Sequence, residues 1–158
     1  FSEMGYNFLP SEISAAFAIE QLKKLKKNIQ IRINNFQFLK NFFKKHSSFF
    51  KLPSQNKNVK TGWLAFPFVL KENKLIKRRN LQIYLEQNGI QTRTIFTGNI
   101  LRQPMMKNKY FRKHKQSSIV SDDVMKNGIL IGCHHGLKLK ELKYMCNIIT
   151  KYLQNFKK

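Results

Sequence analysis

His134 and His135 stand directly after the apolar run Ile129–Cys133 and directly before Gly136. Strand ends in α/β proteins are where ligands are met, so this pair is a candidate ligand contact. The competing reading is a turn histidine that satisfies only its local backbone. His46 and His114 lie in basic surroundings and are read as solvated. Among the acids Glu3, Glu12, Glu20, Glu72, Glu86, Asp122, Asp123 and Glu141, only Asp122 and Asp123 are adjacent. Following Ser121, they read as the cap of one helical turn rather than an acid–base dyad. Lys109-Tyr110-Phe111-Arg112-Lys113-His114-Lys115 interleaves cations with aromatics, the texture of a surface on which bases stack. No helix-turn-helix, zinc-finger or RNA-binding pattern accompanies it. A Gly-rich phosphate loop, HExxH, GxSxG and a zinc-like Cys/His set are all missing, so no metal site is expected.

The net charge is +22, from 30 basic and 8 acidic residues. Such an excess suggests a polyanionic partner. Its make-up argues otherwise: 24 lysines stand against 6 arginines, beside 15 asparagines. Arginine is the residue that forks onto phosphates and bases. A Lys-Asn-Ile-Phe surplus is also what drift in an AT-rich genome produces, and solvated surface is the favoured reading. An RNA- or membrane-surface-binding module stays as the alternative from another class; no specific nucleic-acid partner is expected. No apolar run approaches the length of a membrane span, so no membrane insertion is expected. Cys133 and Cys146 show no CxxC spacing, and a reduced, cytoplasmic protein is the default. The chain opens on Phe1 without the regions of a signal peptide, so it is expected to begin mid-protein.

The elements that must position these residues follow from periodicity. Ala16, Ile19, Leu22, Leu25, Ile29, Ile33, Phe36, Leu39 and Phe43 recur at steps of three or four, one stripe of a long helix after the N-cap candidate Ser11. Thr61 to Leu70 alternates as a strand, with Leu64, Phe66, Phe68 and Leu70 on one face. Pro67 places it near an edge. Lys77 to Asn88 reads as a helix stopped by Asn88-Gly89, and Ile90 to Ile95 as a second strand. Phe96 to Ser118 is loop with at most a short helix, and a loop this long is usually functional or disordered. Ile129 to Cys133 is a buried third strand. Leu139, Leu142, Met145, Ile149 and Leu153 stripe a C-terminal helix. The order gives an α/β chain, an α+β layer of helices against a small three-stranded sheet.

Three ordered segments carry a family resemblance. Gly5-Tyr6-Asn7-Phe8-Leu9-Pro10-Ser11-Glu12-Ile13-Ser14-Ala15-Ala16, with Gln21-Leu22-Lys23-Lys24-Leu25, resembles a signature of the DegT/DnrJ/EryC1/StrS family. These are pyridoxal-phosphate enzymes acting on nucleotide-linked sugars. Trp63-Leu64-Ala65-Phe66-Pro67 and Leu85-Glu86-Gln87-Asn88-Gly89-Ile90-Gln91-Thr92-Arg93 resemble its small-domain strand and "GI.TR" element. Gly132-Cys133-His134-His135-Gly136-Leu137 resembles the turn before its last helix. Phe96-Thr97-Gly98-Asn99-Ile100-Leu101-Arg102-Gln103-Pro104 is similar to the "GN..RQP" of the branch that removes the C3 hydroxyl from 4-keto-6-deoxy sugars. Ordinary sugar aminotransferases more often have a "hy…H.Q" pattern there, and amine transfer remains the alternative.

The resemblance implies the C-terminal part of a fold-type I pyridoxal-phosphate transferase. Residues 1–52 would be a long helical segment leading from a large cofactor domain, and 53–158 a small C-terminal α/β domain. Family members are more than twice this length. The cofactor-linking residue, lysine in aminotransferases and commonly histidine in 3-dehydratases, would lie before Phe1, leaving no catalytic residue in this chain. Asn7 would reach across a homodimer interface to the partner's pyridoxal 5'-phosphate. Arg93, Asn99, Arg102, Gln103 and His134 would contact the nucleotide-sugar substrate, the arginines by forking onto its diphosphate. The implied role is 3-dehydration, or amine transfer, in lipopolysaccharide, O-antigen or other polysaccharide sugar biosynthesis. Some dehydrase relatives carry an iron–sulfur cluster with cysteines mainly upstream, a set Cys133 and Cys146 do not reproduce.

Overall fold

A computed structural model of the chain describes residues 10–71, 76–96, 98–112 and 118–156. Helix α1 (Glu12–Lys44) opens the chain. A two-residue strand β1 (Phe50–Lys51), strand β2 (Ala65–Leu70), helix α2 (Arg78–Gln87) and strand β3 (Thr92–Arg93) follow. Two 3₁₀ turns (Ile100–Arg102 and Pro104–Met106), helix α3 (Ser118–Asn127), strand β4 (Gly128–Gly132) and helix α4 (Leu139–Gln154) complete it. The sheet order is β1-β2-β4-β3, every pair antiparallel. Among the described residues no helix is long and apolar enough to cross a membrane.

The sheet thus has four strands rather than three, because Phe50 and Lys51 pair with Leu70 and Val69. Strand β2 is therefore interior, not at an edge. Pro67 is tolerated for a local reason. The amide of Lys71 donates to the Phe49 carbonyl, so odd-numbered residues of this strand point their N–H groups toward β1. Strand β1 stops at the partner of Val69, so the donor that Pro67 lacks would have met no acceptor there.

Strand β2 starts at Ala65, four residues later than the alternation suggests. Trp63 adopts φ +41°, which breaks the extended run, and lays its ring on Phe36 with centroids 3.7 Å apart. Leu64 consequently points to solvent, 77% exposed, against the expectation that it shares the face of Phe66. Strand β3 is also shorter than Ile90–Ile95. Gln82 of α2 donates to the Thr92 hydroxyl, which donates to Glu86, fastening this edge to the helix. The acidic pair is not a cap. Asp122 and Asp123 lie inside α3, which begins at Ser118. Ser11 precedes α1 but its hydroxyl makes no capping bond, and Leu139 of the α4 stripe is exposed.

The core forms where the last third of α1 meets the β2–β4 pair. Phe43 is fully buried and lies 4.7–5.0 Å, centroid to centroid, from Phe50, Phe66 and Phe68. Phe36, Leu39, Ile129 and Ile131 complete this cluster. Burying one such side chain contributes about 1.5–3 kcal/mol. Helix α4 brings Leu142, Met145, Ile149 and Leu153 to the same core.

The stripe of α1 has two fates. Its C-terminal part is covered, whereas Ile19, Leu22 and Leu25 stand 46–71% exposed, and off the stripe Ile13 and Phe17 are exposed as well. So many exposed large apolar side chains on one segment are normally covered in a native assembly. Produced as the 158-residue chain alone, the protein should bind a hydrophobic dye or self-associate. Ile13→Glu with Leu22→Glu should suppress this without lowering the unfolding midpoint. A monomeric, dye-silent parent chain would contradict it.

Candidate functional site

The turn from β4 to α4 is tied to α1 by the side chain of Asn35. Asn35 of α1 is buried, and its Nδ2 donates to the carbonyls of His134 (2.9 Å), Leu137 (3.3 Å) and Cys133 (3.5 Å). These partners lie about a hundred residues along the chain, so the amide adds a polar tie between elements distant in sequence. His134 itself is exposed. Its Nδ1 accepts from the Gly136 amide at 3.2 Å, which leaves Nε2 as the ring's donor. A hollow of about 270 Å3 opens beside it, lined in part by Gln91, Gly132, Leu137, Glu141 and Tyr144. Burial alone would raise the Glu141 carboxyl, but hydrogen bonds from backbone amides, Lys138 first, and nearby Lys140 hold it below its usual range.

Arg93 lines a second, shallower hollow of about 140 Å3 with Ala65, Gln91, Leu130 and Gly132. Gln91 and Gly132 belong to both hollows. The structure therefore brings His134 and Arg93 to adjoining concavities at one end of the sheet. Neither hollow is lined by a lysine. These residues suit hydrogen bonding to a polar or anionic ligand, not a covalent anchor.

Asn99, Arg102 and Gln103 form a separate group on α3. Gly98 adopts φ +71°, and a Cβ there would lie 2.2 Å from that of Met125, so only glycine lets this loop rest on the helix. Asn99 is buried. Its Oδ1 accepts from the Leu101 amide at 3.0 Å and its Nδ2 donates to Asp122 at 2.8 Å. Arg102 forks onto the same carboxylate, Nε at 3.1 Å and Nη2 at 2.7 Å. Hydrogen bonds from Arg102, then from Asn99, take the Asp122 carboxyl down to about 2. A carboxylate depressed in this way keeps its pairing above its ordinary range near pH 4 and loses it only as the pH falls toward 2. Gln103 Nε2 donates to the Asn99 carbonyl at 3.4 Å. Beyond them lies an open bowl of about 550 Å3, with Arg102, Gln103, Lys107, Lys109 and Tyr110 on its rim. It shares no lining residue with the hollows beside His134.

Asn7 lies outside the described residues, as do Lys113, His114 and Lys115 of the basic–aromatic run. Cys133 and Cys146 are free and buried, and burial pushes both thiols up to about 11. Among the described residues no group of three or more His, Cys, Asp or Glu side chains could hold a metal ion. Sequence reasoning missed Asn35 and the partnership of Asp122. The signal for the first was an asparagine beside Phe36 on the core-facing part of the α1 stripe.

Comparison with known proteins settles the family. The profile of the DegT/DnrJ/EryC1/StrS aminotransferase family matches residues 1–150. The chain belongs to this family. Its sequence is 30% identical over 156 residues to the lipopolysaccharide biosynthesis protein RfbH of Salmonella typhimurium, covering 99% of this chain and 35% of that protein. It is 32% identical over 146 residues to a GDP-4-keto-6-deoxy-D-mannose 3-dehydratase of Escherichia coli O55:H7, covering 92% and 37%. The solved E. coli GDP-4-keto-6-deoxy-D-mannose-3-dehydratase with bound hydrated pyridoxal phosphate superposes with a TM-score of 0.80 at 31% identity, over 94% of this chain and 37% of that one. The chain thus spans about a third of the length of these relatives, and its α/β fold is that of the part it matches.

The Asn35 tie carries a measurable consequence. Asn35→Ala should lower stability by about 1–3 kcal/mol, read from the denaturant midpoint, because three turn carbonyls lose their shared donor. Asn34→Ala, whose side chain only accepts from Gln30 at the surface, should cost less than about 0.5 kcal/mol. Equal shifts would contradict the role given to Asn35.

Proposed function

We propose that the protein carrying this chain is a pyridoxal-phosphate-dependent enzyme acting on nucleotide-linked 4-keto-6-deoxy sugars, of the 3-dehydratase branch, in polysaccharide sugar biosynthesis. The observation that carries this is the match, over nearly the whole chain and at above 30% identity, to GDP-4-keto-6-deoxy-D-mannose 3-dehydratases in sequence and in fold. The GN-RQP segment, Gly98 to Pro104, supports the branch. Amine transfer is the second reading, favoured by the description of the matching family as aminotransferases. The working place is the cytoplasm and the working form a homodimer with shared sites.

Bound pyridoxal phosphate supplies an electron sink for a carbanion on the sugar. The residues of this chain fit the substrate-facing side of such a site. Arg93 offers a fork for a phosphate oxygen, and His134 its Nε2 as a donor. Gln91 stands between them at the sheet end. Asn7, preceding α1, donates amide hydrogen bonds to the cofactor phosphate of the partner subunit without adding charge. Residues 1–52 lead from the cofactor domain and, through the end of α1 and β1, pack into the unit that carries the substrate contacts.

In the full-length protein, Asn7→Ala should weaken cofactor retention by about ten- to a hundredfold, the loss of one hydrogen bond to a charged phosphate. Because Asn7 serves the partner's site, pairing Asn7→Ala with a subunit inactivated at the cofactor-linking position should restore one working site per heterodimer. Heterodimers that form yet recover no activity would overturn the cross-subunit role. Unchanged cofactor affinity would overturn the phosphate role.

A further inference from the structure

Asp122 of α3 is half-buried, and three donors from one loop converge on its carboxylate. They are Asn99 Nδ2, Arg102 Nε and Arg102 Nη2, at 2.8, 3.1 and 2.7 Å. Asn99 is the buried residue of this loop, whereas the 3₁₀ turn Ile100–Arg102 and its successor Pro104–Met106 contain none. Other contacts of the loop run within it and to α3. Asn99 caps Leu101, Gln103 reaches back to Asn99, and Gly98 rests on Met125. Helix α3 is itself braced from two directions. Arg78 of α2 donates to the Met125 carbonyl at 2.6 Å, and Lys51 of β1 pairs with Asp123 at 2.8 Å.

We propose that Asp122 is a positioning residue that holds the 98–103 loop on α3 and so presents Arg102 and Gln103 at the rim of the basic bowl. It follows that Arg102 is oriented from behind, its fork engaged with Asp122 through Nε and Nη2. This rests on the reading of the loop as substrate-facing. A bidentate guanidinium–carboxylate pair is suited to the task because its two parallel bonds fix direction as well as distance. Neighbouring Asp123 does not share the role, since it is taken by Lys51 and Asn127.

The test uses the full-length, cofactor-loaded protein with Asp122→Asn and Asp122→Ala, alone and combined with Arg102→Ala. Amide hydrogen exchange of residues 98–103 should speed up about tenfold or more in Asp122→Ala, while α4 and β4 stay unchanged. KM for the sugar nucleotide should rise about tenfold with kcat within about twofold. Asp122→Asn, which keeps the shape but loses the charge, should fall between. In the double variant the KM change should be no larger than in Arg102→Ala alone, the non-additivity of residues acting as a unit. Unchanged exchange in the loop would overturn the clamp. Faster exchange with unaltered KM, or additive effects with Arg102→Ala, would overturn the positioning role. If the parent protein turns over no sugar nucleotide, the proposed function fails, and the exchange measurement still decides the clamp.

Discussion

The docking of the last third of α1 onto the β2–β4 pair governs the rest of the structure. Phe36, Leu39 and Phe43 stand one helical turn apart and meet Phe66, Phe68, Ile129 and Ile131 from the facing strands. A four-stranded sheet with two strands only two residues long has little ladder to hold it. Its order comes from this apolar contact, which is non-directional, and from the few polar ties that give it direction. Asn35 supplies one of them, one residue from Phe36, converting helix docking into a fixed conformation of the His134 turn.

From that frame the two site groups are positioned differently. His134 and Arg93 are placed by the sheet: β4 delivers one at its end, and β3 delivers the other through its pairing with Leu130. Small outward movements there would have to disturb the core. Asn99, Arg102 and Gln103 are placed by a peripheral carboxylate on a helix that buries little of its own surface. The first arrangement suits a contact that must be constant, the second a loop that can move and return. Exposure of the Arg102 side chain, 58%, keeps its pair with Asp122 in solvent, where directional geometry matters more than strength.

Much of this was legible in the residues. The 3.6-residue period gave α1 and α4, Asn88-Gly89 stopped α2 where Gly89 takes φ +71°, and the apolar run before His134 gave β4. What escaped depends on contacts distant in sequence. Phe50-Lys51 is too short to show alternation and becomes a strand only because Val69 and Leu70 offer partners. Pro67 read as an edge signal because its unpaired flank is real but local. Asp122 looked like a cap because Ser121 precedes it, whereas its partners are 20 and 23 residues upstream. The family resemblance reached the right fold and family, and named Arg102 without its carboxylate partner.

The measurement that tests the proposed substrate side most directly is equilibrium binding of a GDP-linked 4-keto-6-deoxy sugar to the full-length protein with Arg93→Ala and with His134→Ala. Both should weaken binding about tenfold or more while cofactor occupancy and unfolding midpoint stay at parental values. Parental affinity in both variants would contradict the assignment of the sheet end as the substrate-facing surface.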